Sequence, residues 1–219
     1  ALQEVGADIG AIEQNITDML GGVDAFTAVQ LDTVGATPNL GEITWDDVYK
    51  TASIGLVNGS VLQAGQELLV YGKATEVIAN GSLVQLAGVQ GDHNTFKLAV
   101  PAEYSVNPYL VLGIATNNFT LNGFGYVTWF GKVNDVYTTG FSLFDPIWAD
   151  PTTTGGITNV EPTAPNPRIK LGSVVKLATG ASENGKFAIR PFFMPKLNGL
   201  QDVYAPSPTD GQALIWDGT

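Results

Sequence analysis

What most restricts this chain is a succession of short strand-type runs separated by Asn-Gly and Asp-Gly pairs. Runs rich in Val, Ile, Leu and aromatic residues occupy 66–71, 83–86, 95–100, 109–115, 125–133, 170–177 and 186–193. The turn pairs are Asn58-Gly59, Asn80-Gly81, Asn122-Gly123, Gly155-Gly156, Asn184-Gly185, Asn198-Gly199 and Asp210-Gly211. Such pairs supply the positive φ angles that tight hairpins require. Many short strands with regular turns predict a mainly β chain, with a β-sandwich or barrel-like domain over residues 42–203. One internal echo, 56–65 against 78–88, reads as two similar hairpins.

The first 22 residues follow a different period. Leu2, Val5, Ile9, Ile12, Ile16 and Met19 recur at alternating steps of three and four, the seam of a left-handed coiled coil, and Gly21-Gly22 closes it. A short helix with one apolar stripe is marginal alone and needs a partner surface. Isoleucine at both seam positions favours trimers or higher states. The six seam residues are therefore expected to hold a homotrimer, with 23–41 as a linker and 204–219 as an exit linker. The chain stops at Asp217-Gly-Thr219 within a turn-like phrase, so a longer polypeptide is expected.

Composition excludes several functions. Ten Lys and Arg against 21 Asp and Glu give a net charge of −11, which repels phosphate backbones and anionic lipid, so nucleic acid is not an expected partner. Zero cysteines remove disulfides, thiolate nucleophiles and zinc ribbons, and one histidine removes most multi-histidine metal sites. No apolar run approaches the ~18 residues of a bilayer span, so no membrane insertion is expected. Neither a metal nor a cofactor is expected.

Chemistry-bearing patterns are sparse. His93 lies in a polar turn between strand runs and reads as a solvated loop residue, without a Gly-x-Ser-x-Gly elbow. Glu42, Asp46, Asp47, Asp145 and Asp150 are the carboxylates from which a hydrolytic pair would have to come, and their positions suit turns and caps. Gly123-Phe-Gly125 lacks the rest of a dinucleotide fingerprint. The Asn-x-Ser/Thr matches at Asn15, Asn58, Asn80 and Asn118 are short enough to arise by chance. Trp45, Trp129, Trp148, Trp216, Tyr126, Phe130, Phe141 and Phe144 are mostly expected in the core or a subunit interface. Trp148, beside the Pro-rich stretch 150–167, is expected to be the exposed one and to contact a host-surface glycan.

The phrase Glu42-Ile-Thr-Trp-Asp-Asp-Val-Tyr-Lys-Thr-Ala-Ser-Ile-Gly-Leu56, with Gly65-Gln-Glu-Leu-Leu-Val-Tyr71 and Ile78-Ala-Asn-Gly-Ser-Leu-Val84, resembles a module of tailed-bacteriophage tail-fibre and head-fibre proteins. Pro162-Thr-Ala-Pro-Asn-Pro167 and the closing Ser207-Pro-Thr-Asp-Gly-Gln-Ala-Leu-Ile-Trp-Asp-Gly218 are similar to phrases of the same proteins. The resemblance implies a trimeric, β-rich, non-enzymatic virion subunit, in contact with other virion proteins and adjoining host attachment. A capsid-decorating protein is the alternative expectation, and a polysaccharide depolymerase a more distant one.

Overall fold

Burial alternates with period two along Thr51–Gly55 and Gly185–Phe193, whereas Leu83–Gln90 and Val111–Ala115 bury consecutive residues on both faces. The computed structural model describes residue 31 and residues 37–180 and 184–194. The expected seam, Leu2 to Met19, most of the 23–41 linker, Trp216 and the 204–219 tail lie outside the described residues.

The described residues form two sheets. The small one is a meander of β1 (Ile43–Asp46), β2 (Thr51–Gly55) and β3 (Val61–Gln63). The large one takes β4 (Leu68–Ala74), β5 (Leu83–Gln90), β6 (His93–Leu98), β7 (Val111–Ala115), β8 (Phe124–Val136), β9 (Pro146–Ala149), β10 (Ile157–Thr158), β11 (Ile169–Lys176) and β12 (Gly185–Phe193). A single helical turn, α1 (Pro101–Tyr104), separates β6 from β7. Strands β8, β4, β6, β5 and β7 are neighbours in that order, and β7 pairs back onto β8, so five strands close a barrel. Closure removes the open edges that β4 to β8 would otherwise present. The only parallel pair among them is β4 with β6.

Strand β8 is 13 residues long and serves two structures. Its first half pairs with β4, and its second half pairs with β12, from Gly131 opposite Ile189 to Val136 opposite Gly185. From β12 the sheet runs outward through β11 and β9 to β10. Gly131 marks the change of partner: its φ is +117°, and a Cβ there would lie 2.7 Å from the Gln66 carbonyl oxygen. The expected mainly β fold is present, as a barrel continued into an open sheet.

Two hydrophobic clusters follow. Ala74, Ile78, Val84, Phe96, Ala115, Phe119 and Val127 form one. Leu83, Tyr104, Ile114, Val133, Ile147, Leu171, Phe187 and others form the second. Adjacent residues Leu83 and Val84 enter different clusters, as do Ile114 and Ala115. Strands β5 and β7 are thus a wall shared by both cores, and their consecutive residues are buried, Gln85 included.

The barrel contains an internal repeat that the 56–65 and 78–88 echo does not identify. Tyr71-Gly-Lys-Ala-Thr75 recurs 41 residues later as Leu112-Gly-Ile-Ala-Thr116. The register obeys the same offset: Gly72 opposite Gly125 and Lys73 opposite Phe124 match Gly113 opposite Val84 and Ile114 opposite Leu83. Ala74 N–H donates to Gly123 O and Ala115 N–H to Ser82 O, while Ile78 and Phe119 exchange both backbone bonds. Two copies of one motif interlock about the Ile78–Phe119 pair. Asn58-Gly59 does join paired strands, β2 and β3. Asn80-Gly81, expected as a hairpin, instead makes a turn of this interlock, since β4 and β5 are not neighbours.

Candidate functional site

The exposed-tryptophan expectation fails at Trp148, which is 4% exposed. Pro146 to Ala149 form a strand between β10 and β11, and Trp148 faces Thr158 on one side and Lys170 on the other. The Lys170 ammonium lies 5.9 Å from its ring centroid. Pairing on both sides closes off the ring that the neighbouring prolines made look like a loop residue. Among the described tryptophans, Trp129 is the one left half in water, at 48%.

The carboxylates act locally. Asp46 accepts the N–H groups of Val48 and Tyr49, Glu42 that of Asn39, Asp145 that of Ser142, and Asp150 that of Thr152. Asp47 pairs with Lys50. Asp46 and Asp145 also accept the side-chain amides of Gln63 and Asn159, so these carboxylates serve turns and nearby structure.

His93 is the first residue of β6, and it belongs to an aromatic platform. On β4 the side chains of Tyr71 and Lys73 face outward, while Ala74 enters the barrel core. On β8 Phe124 and Tyr126 face outward, while Val127 enters the core. The register sets Tyr71 opposite Tyr126 and Lys73 opposite Phe124. Tyr71 stacks on Phe124 at 5.7 Å between centroids and meets Tyr126 at 5.1 Å. His93 stands edge-on to both Tyr71, at 5.9 Å, and Phe124, at 5.1 Å. Tyr71 is 37% exposed and His93 is exposed. Partial burial, with Tyr71 beside it, pushes the Tyr126 hydroxyl pKa upward.

A polar rim borders the rings. Lys73 donates to Gln90 Oε1 at 2.8 Å, and Gln90 lies opposite His93. Of these residues only His93 and Tyr126 were singled out from the sequence, and neither as part of a platform. The readable signal is the outward pair Phe124-Gly-Tyr126, but its partners Tyr71 and His93 lie 53 and 31 residues before Phe124 and are set there by strand pairing.

A second polar cluster joins the small sheet to the barrel. Glu67 is 6% exposed; its Oε2 accepts the Gln63 N–H at 3.3 Å, while its Oε1 has no partner. Tyr49 receives the Lys132 ammonium over its ring at 3.9 Å and a bond from Lys186 to its hydroxyl. Burial pushes the Glu67 carboxyl pKa above its usual range, against the pull of the Gln63 N–H and of the two lysines. The folded chain therefore holds a proton that the unfolded chain releases, and stability falls as pH rises from the ordinary carboxylate value through the raised one. Glu67→Gln is expected to remove that slope and to raise the melting temperature at neutral pH, on the order of 2–4 °C for each kcal/mol relieved. Thermal unfolding of both chains between pH 4 and 8 checks this; parallel curves would refute it.

Fold and site together define a mainly β protein, barrel plus open sheet, with an aromatic face on rigid strands. Compared with known proteins, the chain matches no family model, no curated protein and no solved structure.

Proposed function

We propose that this chain is a structural, non-enzymatic subunit of a bacteriophage virion appendage of the tail-fibre or head-fibre type, trimeric through residues 2–19. The observation that carries the assembly part of this reading is apolar surface held on paired strands. In the small sheet the register places Thr44, Asp46, Thr51, Ser53 and Gln63 on one face and Ile43, Trp45, Ala52, Ile54 and Leu62 on the other. The polar face is the buried one, with Thr44 at 7%, Ser53 at 2% and Gln63 at 6%, whereas Ile43 is 51% exposed. On the barrel, Leu68 and Phe130 stand opposite each other at 53% and 42% exposure, beside Trp129. Apolar groups arranged this way are the usual mark of a surface that another protein covers. Low charge and the absence of cysteine suit a particle component that is stabilised by subunit packing rather than by disulfides.

Light scattering on the full chain tests the reading. A trimer is expected, and deletion of residues 1–22 or Ile12→Asp is expected to lower the assembly state, because a charge in a dry seam is costly. A monomer at micromolar concentration would overturn it. Electron microscopy of the particle then separates an appendage from a shell-decorating position.

A further inference from the structure

We infer that the platform of Tyr71, Phe124, Tyr126 and His93, rimmed by Lys73 and Gln90, binds an acidic polysaccharide segment. This deepens the appendage reading, on which it rests for where such a polymer would be met. Three features of the site converge on that ligand. The rings touch one another, with neighbouring centroids 5.1–5.9 Å apart and His93 edge-on to Tyr71 and Phe124, on three hydrogen-bonded strands whose other face is the barrel core. A pyranose presents a C–H face of similar breadth, which stacks on aromatic carbon without needing charge. Little ordering cost is then due on binding, because the strands already hold the rings in place.

The rim supplies what a sugar's edge requires. The Gln90 side-chain oxygen is occupied by Lys73, which leaves its amide N–H groups free to donate, and the ammonium keeps donors beyond the one it spends on Gln90. The local charge at the rim favours an acidic sugar, against the general repulsion that a net charge of −11 exerts on polyanions. Among the described residues the ion pairs are Lys50–Asp47, Lys97–Glu103 and Arg168–Glu161, so Lys73 is a cation without a paired carboxylate in a chain of net charge −11. A sugar carboxylate beside the rings would give that ammonium its anion. The acid nearest Lys73 in sequence, Glu76, accepts the Leu98 N–H, and Asp92, next to His93, sits at the exposed tip of the β5–β6 hairpin.

Oligogalacturonides and their methyl esters are matched probes, with the same ring and with or without the charge. Calorimetric titration of the full chain is expected to show binding of the acid form that weakens with added salt, and weaker binding of the ester. Lys73→Gln, which can keep a contact to Gln90, is expected to cost about tenfold in affinity for the acid and little for the ester. Tyr71→Ala is expected to weaken both by about tenfold, and Tyr71→Leu, which keeps apolar bulk without the ring, is expected to do the same should the alanine chain unfold. The inference is overturned by no binding of the acid at millimolar concentration, by equal affinity for acid and ester, or by binding indifferent to Lys73 and Tyr71. It is also overturned if Tyr71 proves covered by a second copy, read as protection from tetranitromethane in the oligomer but not in the 1–22 deletion. Mass measured on the same samples separates the two proposals: a trimer that does not bind sinks this one alone, and a monomer that binds sinks only the assembly.

Discussion

Gly113→Ala is expected to be among the most damaging single-methyl changes available in this chain. A Cβ at Gly113 would lie 2.1 Å from the carbonyl oxygen of Thr128 and 3.2 Å from the Cα of Trp129. Both are backbone atoms of β8, which the barrel holds through β4 on one side and β7 on the other. No rotamer relieves such a clash, so the strands must part or the closure must open. A cost of about 3–5 kcal/mol is expected, in the range of severe core disruptions. Gly65→Ala is the control: its φ is +75° with nothing within 4 Å of the added carbon, so it carries only the left-handed backbone penalty, about 1 kcal/mol. Urea unfolding of the two variants separates them. If Gly113→Ala unfolded within 1 kcal/mol of the parent, the close approach of β7 to β8 would be disproved. Its equivalent at the 41-residue offset, Gly72, behaves alike, with a Cβ meeting the Phe96 ring at 2.4 Å and Asn94 O at 2.5 Å.

Replacing Gln85 by leucine should cost about 2–4 kcal/mol despite the gain in hydrophobicity. Gln85 is fully buried, with 0% exposure. Its Oε1 accepts the Val100 N–H at 2.7 Å, and its Nε2 donates to Glu103 Oε2 at 2.7 Å. Val100 precedes Pro101, the first residue of α1, so one amide pins the start of the helical turn to β5. Leucine fills the volume but leaves that N–H dry and unpaired, which is the expensive outcome. A second readout follows from Glu103, whose carboxyl pKa is held low first by Lys97 and then by Gln85. Losing Gln85 is expected to move the Glu103 titration up toward its ordinary range, visible by NMR. A leucine variant as stable as the parent, with Glu103 unmoved, would show that the amide is dispensable.

The strands that were legible are those whose period is long enough to read. The runs at 66–71, 83–86, 95–100, 109–115, 125–133, 170–177 and 186–193 correspond to β4 through β8, β11 and β12. The small sheet escaped because its strands are three to five residues long and its buried face is Thr, Ser and Gln, which mimics loop composition. Strand β9 escaped because Pro146 begins it and Asp145 and Asp150 flank it, all turn signals in a linear reading. Trp148 follows the same reasoning, since a ring beside turn residues is expected to be wet, whereas pairing of β9 on both sides buries it.

The aromatic platform was illegible for a different reason. Tyr71, His93 and Phe124 are spread over 54 positions of sequence, and nothing local distinguishes them from core aromatics. Facing outward follows from strand parity, but lying side by side follows from β4 being parallel to β6 and antiparallel to β8.

By itself the sequence determined the β class, turns such as Asn58-Gly59 and the sign of the net charge, because these depend on residues a few positions apart and on simple sums of charge. Only the tertiary structure decided that five strands close on themselves, that two related motifs interlock, and that rings from three strands share a face. Those outcomes rest on pairing between distant segments, where a shift of one residue would turn every side chain to the opposite side of the sheet.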